Sequence, residues 1–217
     1  MSPTPNLTLY GGVQTRAGRC LWALEELGLP YRLVPVMPAV GDTRTPTYLA
    51  LNPLGKVPTL VHDDFVLTES TAINAYLVEL APTPLWPTDA RSRARIHQWS
   101  SWATTELEYH LTVMVREVRR AAPGAPDGAV IKACLEGCEA SLAALESHLA
   151  QNTPNRAYVA GEAFTMGDVN TAFSVNFVAS RIAMDRFPKA QAWLARCLAR
   201  PAWARVTAIN EAALPRA

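Results

Sequence analysis

The hydrophobic pattern changes period several times along the first eighty residues. Leu7 and Leu9 alternate with Thr8 and Tyr10, the two-residue period of a short strand, and Gly11-Gly12 breaks it. From Thr15 the period becomes helical: Cys20, Leu21, Ala23, Leu24 and Leu27 form an apolar stripe that Gly28 stops. Tyr31–Val36 is a second strand, and strand, helix, strand within about thirty residues predicts a βαβ unit with parallel pairing. The stretch 43–51 reads as a short helix or a loop. Two short apolar runs, 57–61 and 65–67, flank an Asp63-Asp64 turn, and Glu69-Ser70 then opens a helix that ends near Leu80. The order β-α-β-(α)-β-β-α predicts an α/β domain with a four-stranded mixed sheet over 1–81.

Three prolines in Ala81–Pro87 mark an ordered linker over 82–88, and no strand signal follows. The remainder, 89–217, reads as all-α. One long helix runs from Asp89 to about Arg120 with Leu107, Leu111, Met114, Val115 and Val118 as its stripe. After the Pro/Gly-rich break at 123–128, a second runs over 129–149 on Ile131, Leu135, Leu142, Leu145 and Leu149. Three shorter helices fall near 166–183, 188–199 and 201–213, with Pro188 and Pro201 at first-turn positions. Thr165 followed three residues later by Asp168, with Phe164 and Val169 flanking, is a capping box with a hydrophobic staple, a folding signal. The fold class is therefore α/β plus all-α.

Composition changes this picture little. In 217 residues, 49% hydrophobic and 18% charged with a net charge of +1, no basic run calls for nucleic acid or an anionic membrane. No apolar run approaches the roughly 20 residues of a membrane span, and the N-terminus lacks the pattern of a signal peptide, so the expected location is cytoplasmic. Four scattered cysteines, Cys20, Cys134, Cys138 and Cys197, predict free thiols rather than a disulfide framework. Cys134 and Cys138 lie one helical turn apart, but no histidine or carboxylate is arranged with them as a ligand set. His62, His97, His110 and His148 form no ligand spacing, so no metal is expected.

The stretch 52–76 carries the first chemical signal. Proline at the mouth of a strand donates nothing to the ladder, and a cis bond at Pro58 would leave the backbone of Val57 facing outward. Ser70 is a good cap residue, and the helix start behind it presents unpaired N–H groups that suit a carboxylate. Glu69 beside it suits an ammonium group. A ligand with both, such as the α-amino-acid end of a peptide, fits that pair.

Leu9-Tyr10-Gly11, LEELGLPY at 24–31, NPLGKVPTL at 52–60, ESTAI at 69–73 and the capping box at 165–168 run nearly the length of the chain. In this order they resemble the cytosolic glutathione transferases, with a thioredoxin-like N-terminal domain and a helical C-terminal one. The resemblance implies glutathione as co-substrate. Ser70 and the helix N–H groups would take its α-carboxylate, Glu69 would assist its amine, Val57 before cis Pro58 would pair with the cysteinyl unit, and Lys56 would meet the glycyl carboxylate. It also implies a homodimer.

The glutathione thiol must be ionised from a pKa near 8.5, and the resemblance implies a hydroxyl or a cysteine for this near the end of the first strand or the start of the first helix, a hydroxyl donating to the thiolate. Gly12, Val13 and Gln14 stand where serine or cysteine is common in such families, and no Cys-x-x-Cys is present, which counts against thiol-exchange chemistry. The candidates are Thr15, which also reads as a plain N-cap, Tyr10 and Arg16. Cys20, on the apolar stripe, reads as a structural thiol. For the second substrate, Trp99, Trp102, Glu106, Tyr109 and Val113 recur at steps of three and four and would share one face, with Trp102, Glu106 and Tyr109 lining a pocket for an electrophile or packing on a neighbour. The function implied is conjugation of glutathione to small hydrophobic electrophiles. The rivals are a glutathione-dependent peroxidase, reductase or isomerase, and a non-catalytic glutathione-binding module of the same fold.

Overall fold

The computed structural model describes residues 6–151 and 156–213. Among these, the residues up to Pro84 fold together with those from Ala199 to Ala213, and those between Leu85 and Leu198 form a second unit. In the first unit, β1 (Leu7–Tyr10), β2 (Tyr31–Val34), β3 (Thr59–His62) and β4 (Phe65–Thr68) lie in the order β2-β1-β3-β4. β1 pairs parallel with β2, Leu9 opposite Leu33, and antiparallel with β3, Leu9 opposite Leu60; β3 pairs antiparallel with β4. This is the mixed four-stranded sheet that the change of period implied. Helix α1 (Ala17–Leu27) makes the crossover between β1 and β2 and ends at Gly28, whose φ of 61° is the left-handed C-cap that glycine adopts without strain. α2 (Pro46–Leu51) follows β2, capped by Thr45, and α3 (Ser70–Leu77) follows β4.

α1 is buried on more than its predicted stripe. Every residue from Ala17 to Leu24 is buried, Arg19 and Trp22 completely. The reason is that two helices cover it, α3 and the last helix, α9 (Pro201–Ala213). Trp203 of α9 packs its ring 4.7 Å from that of Trp22. Arg200 bonds both carboxylate oxygens of Glu26 at 2.7 Å, and Arg205 bonds Glu25 at 2.6 Å. The sequence groups this helix with 89–217; its packing joins it to the first unit instead, because the two glutamates of LEELG are its anchors.

The second unit is helical: α4 (Ala90–Trp102), α5 (Glu108–Ala121), α6 (Gly128–Ala150), α7 (Met166–Ala179) and α8 (Pro188–Leu198). The single helix expected over 89–120 is interrupted by a π-helical turn at Ala103–Leu107. One extra residue in a helix rotates everything beyond it by about 100°. The expected stripe is accordingly only partly kept past Leu107: Met114 is buried as expected, but Val115 and Val118 are exposed while Glu108 and Glu117 are buried. Glu117 is satisfied by Arg120 through two bonds and by the Asp127 N–H. α7 is the buried centre of this unit and meets α4 and α5 through polar contacts. Asn170 donates to Ser100, Thr171 to the Trp99 carbonyl and Ser174 to Glu108. Cys134 and Cys138 are core residues of α6, and all four cysteines are free and buried. Among the described residues no helix is long and apolar enough to cross a membrane.

The capping box forms as the sequence indicates, with Thr165 and Asp168 bonded reciprocally at the start of α7. Asp168 does more than cap. Its carboxylate, wholly buried, accepts from the Thr165 N–H and hydroxyl, from the Val159 N–H and from Trp193 Nε1 on α8. Asp168→Asn turns one of these acceptor oxygens into a donor and leaves buried N–H groups facing it. The expected loss is about 1–3 kcal/mol per donor left unpaired, read as a lower midpoint in urea unfolding with an unchanged slope.

His148 near the end of α6 gives the fold a pH dependence. Nε2 bonds the Val159 carbonyl at 2.9 Å, Nδ1 lies 3.0 Å from Arg156 Nη1, and the ring packs 4.3 Å from Trp99. The donors-only guanidinium makes Nδ1 an acceptor, so the neutral Nε2–H tautomer fits. Burial, with Arg156 and Arg95 nearby, holds the pKa below the ordinary 6.5. The folded state therefore binds fewer protons than the unfolded one below about pH 6.5, and stability falls as pH drops through that window. His148→Gln should flatten this slope in unfolding midpoints measured between pH 5 and 7.

Candidate glutathione site of the N-terminal unit

Ser70 opens α3 and is buried. Its Oγ lies 2.8 Å from Nη1 of Arg19, the completely buried arginine on α1. A guanidinium has only donors, so Ser70 is the acceptor in that bond and keeps its own proton to give. The first N–H groups of α3 have no earlier turn to bond to, and they add partial positive charge beside it. Glu69, just before, is exposed and has φ 69° and ψ 111°, a left-handed backbone that costs a residue with a side chain about 1–3 kcal/mol. The chain carries that strain at the one point where an acidic side chain adjoins the helix start. Cys20, next to Arg19, gives its thiol proton to the Ser70 carbonyl at 3.5 Å; burial pushes that thiol up to about 12, so it is a structural group.

The Val57–Pro58 bond is cis. Lys56 is exposed and Val57 half-buried. Two side chains from the segment before the turn hold it from inside. Tyr48 Oη bonds the Lys56 carbonyl at 2.6 Å and lies 3.0 Å from Thr59 Oγ1; Asn52 Nδ2 bonds the same two groups at 2.8 and 3.3 Å. Gly55, at φ 59°, has no room for a side chain, since a Cβ there would lie 2.8 Å from Arg44 Nη1 and 2.9 Å from the Thr43 carbonyl.

The segment from Tyr10 to Arg16 meets this turn at Gly11. Its φ is 143°, and a Cβ there would overlap that of Ala17, lie 3.4 Å from Val57 Cβ and lie 3.6 Å from Thr15 Oγ1. Thr15 and Val57 are thus neighbours across a glycine. Thr15 Oγ1 donates to the Gly12 carbonyl at 2.8 Å and accepts from the Ala17 N–H at 3.2 Å, so its hydroxyl caps α1. Tyr10 ends β1 opposite Thr59, its ring 6.2 Å from that of Tyr48. Arg16 is the exposed residue before α1.

A π-helical turn at Ala103–Leu107 lies among the residues expected to line a second-substrate pocket, and it rotates Tyr109 and Val113 relative to Trp99 and Trp102. Trp99 is a core residue packed on His148 and on Trp102, whose ring is 5.0 Å away. Glu106 is exposed, and its carbonyl accepts from Ser141 at 3.2 Å. Tyr109, past the turn, is 60% exposed beside His110, and Val113 is half-buried. Among the described residues no cluster of three histidine, cysteine, aspartate or glutamate side chains has the arrangement of a metal site.

Reading by pattern missed Arg19, Tyr48 and Asn52. Arg19 had one visible signal, a cation inside an otherwise small and apolar helix segment, AGRCLWAL. Tyr48 and Asn52 are four residues apart, one turn of α2 and its end, which puts both on the side of the following turn.

The N-terminal domain model of the glutathione S-transferases matches residues 5–79 and the C-terminal domain model matches 103–201. Glutathione S-transferase 3 of Zea mays is 34% identical over 212 residues, 93% of either chain. Glutathione S-transferase GstB of Escherichia coli K12 is 31% identical over 208 residues, 94% of this chain and 98% of its own. A glutathione transferase homolog from sulfitobacter, solved with bound glutathione, superposes with a TM-score of 0.81 at 28% identity, covering 94% of this chain and 97% of its own. With both domain models matched in order and relatives of this identity aligned nearly end to end, the chain belongs to the glutathione S-transferase family.

Proposed function

We propose that the protein binds glutathione through its N-terminal unit and conjugates the thiolate to small hydrophobic electrophiles. The observation that carries this reading is Ser70, held by the buried Arg19 with its own proton unspent at the start of α3. Ser70 and the α3 N–H groups take the γ-glutamyl carboxylate, Glu69 its ammonium, the Val57 backbone the cysteinyl unit, and Lys56 the glycyl carboxylate. The bound glutathione of the sulfitobacter homolog and the names of the maize and bacterial relatives support the ligand. Thr15, with Tyr10 and Arg16 near it, is the donor to the thiolate. Conjugation is favoured over thiol exchange because Gly12–Arg16 holds no cysteine and the nearest, Cys20, is a buried thiol with a pKa of about 12. The four buried free thiols fit a reducing, cytoplasmic setting.

Calorimetry with glutathione tests the ligand: a Kd at or below the millimolar range is expected, and no heat at millimolar concentration would remove the reading. With ligand bound, ultraviolet titration of the thiolate should show Thr15→Ala raising the thiol pKa by about one to two units, the worth of a charge-assisted hydrogen bond. Turnover of an aryl halide should fall with it. If neither Thr15→Ala nor Tyr10→Phe moves that pKa, both assignments fail.

A homodimer is part of the proposal. Leu54, Phe65 and Val66 are exposed on the first unit, and Tyr109, Val115 and Val118 on the second. Such side chains are what a second copy would cover. Sedimentation should give twice the chain mass, and Val115→Glu with Val118→Glu should shift it towards one chain; a wild-type chain that sediments as a monomer at micromolar concentration rejects the dimer.

A further inference from the structure

We infer that Tyr48 and Asn52 are positioning residues for the peptide ligand, acting by aiming the Val57 N–H; the inference rests on the glutathione reading above. Only one assignment of protons satisfies the buried groups behind the turn. The Lys56 carbonyl is a pure acceptor, so Tyr48 O–H and Asn52 Nδ2–H both donate to it, at 2.6 and 2.8 Å. The Tyr48 proton is then used, and its oxygen accepts from the Thr59 hydroxyl at 3.0 Å. Thr59 Oγ1 accepts the second Nδ2 proton of Asn52 at 3.3 Å. Asn52 Oδ1 accepts from the Leu54 N–H at 3.1 Å, which fixes which end of the amide is which. Tyr48, Asn52 and Thr59 are all buried, so each of these bonds lies in a setting where a lost partner is not replaced by water.

The consequence passes along one peptide unit. The Lys56–Val57 bond is trans, since the cis bonds are those before Pro58 and Pro123. In a trans peptide the carbonyl and the N–H lie in one plane and point in opposite directions. Two donors drawing the Lys56 carbonyl inward therefore turn the Val57 N–H away from them, to the outer side of the turn. The backbone of Val57 has no hydrogen-bond partner among the described residues. A ligand carbonyl that pairs with Val57 as an added strand would do thus finds its donor already oriented, and the ordering cost has been met before it binds. Gly55 contributes by letting Asn52 and Lys56 approach through a backbone closed by the Gly55 N–H on the Asn52 carbonyl at 2.9 Å.

The test uses the full chain and glutathione itself. Tyr48→Phe keeps the ring and removes one donor to Lys56; Asn52→Asp keeps the shape and replaces both donors by an acceptor. Tyr48→Phe should raise the glutathione Kd and KM roughly 3- to 10-fold and Asn52→Asp more than about 10-fold, with kcat at saturation and the KM of the electrophile unchanged. In the wild type, glutathione should protect the Val57 amide from hydrogen exchange, and that protection should weaken in both variants, a change that general loosening of the fold would spread over the whole sheet. Should Asn52→Asp fail to fold, Tyr48→Phe decides alone. A wild type that binds glutathione, with variants of equal affinity and an equally protected Val57 amide, overturns the inference and leaves the proposed function standing. A wild type that does not bind glutathione removes both.

Discussion

A guanidinium with no exposed surface sits on the first turn of α1, and the hydroxyl it bonds is the first residue of α3, 51 positions away. Taking an arginine out of water costs several kcal/mol, so it survives only where partner atoms hold it. Two further polar links run beside it: the Cys20 thiol to the Ser70 carbonyl, and Asn74 Nδ2 to the Arg19 carbonyl. Three bonds between the same two helices, in surroundings otherwise apolar, fix α3 against α1 in translation and rotation alike. Apolar packing alone would tolerate a small slide. The βαβ half of the unit, which carries Thr15, and the ββα half, which carries Ser70, are thereby held in one frame.

The other long-range constraints are carboxylates, half-buried on α1 and fully buried at Asp168, that collect donors from other elements. Glu26 takes both arms of Arg200 across 174 residues, and Glu25 takes Arg205 and the Tyr31 hydroxyl. In the second unit Asp168 collects four donors from α7, the Val159 loop and α8. Burial raises its pKa against the pull of those donors, so its ionised form depends on the donors rather than on solvent. Breaking one partner of such a centre strands the others, whereas a surface pair such as Lys132–Glu136 contributes little.

What the sequence made legible was local. The period change at Thr15, the glycine stop at Gly28, the Asp63-Asp64 hairpin and the Thr165–Asp168 box each act within a few residues, and each is present in the structure. The alternation of Leu7 and Leu9 sufficed for β1, although Thr8 is buried on the other face as well. The π-helical turn left no such trace. Its threonines are ordinary in a helix pattern, and only the fold shows Thr104 and Thr105 turning their hydroxyls back to the Ser100 and Ser101 carbonyls. The turn changes the phase between Trp102 and Tyr109, whose spacing would align them in an unbroken helix. The place of α9 was illegible because the match of Arg200 and Arg205 to Glu26 and Glu25 is one of many that the charges of the chain allow. In the candidate site, Ser70 and Val57 were readable from cap and turn chemistry, but the groups that hold them, Arg19, Tyr48 and Asn52, act through distances that a pattern does not encode.

Thr15 shows how one residue can serve the helix and the proposed thiolate in turn. Its oxygen is held by the Ala17 N–H and its proton by the Gly12 carbonyl. That carbonyl has a second donor, the Thr15 N–H at 3.0 Å, so it is not orphaned when the hydroxyl swings away. The exchange replaces a bond to a neutral acceptor by one to an anion, and charge-assisted bonds are roughly twice as strong. Rotation about one side-chain torsion thus costs little and gains more, provided that the thiolate lies within reach. Gly11 is what grants the reach: with Ala17, Val57 and Thr15 converging on the place of its missing side chain, any larger residue there would stand between the hydroxyl and the turn proposed to hold the peptide. The helix cap and the Val57 turn are therefore linked through an absence of atoms, and the glycine is as much a condition of the proposed chemistry as the hydroxyl.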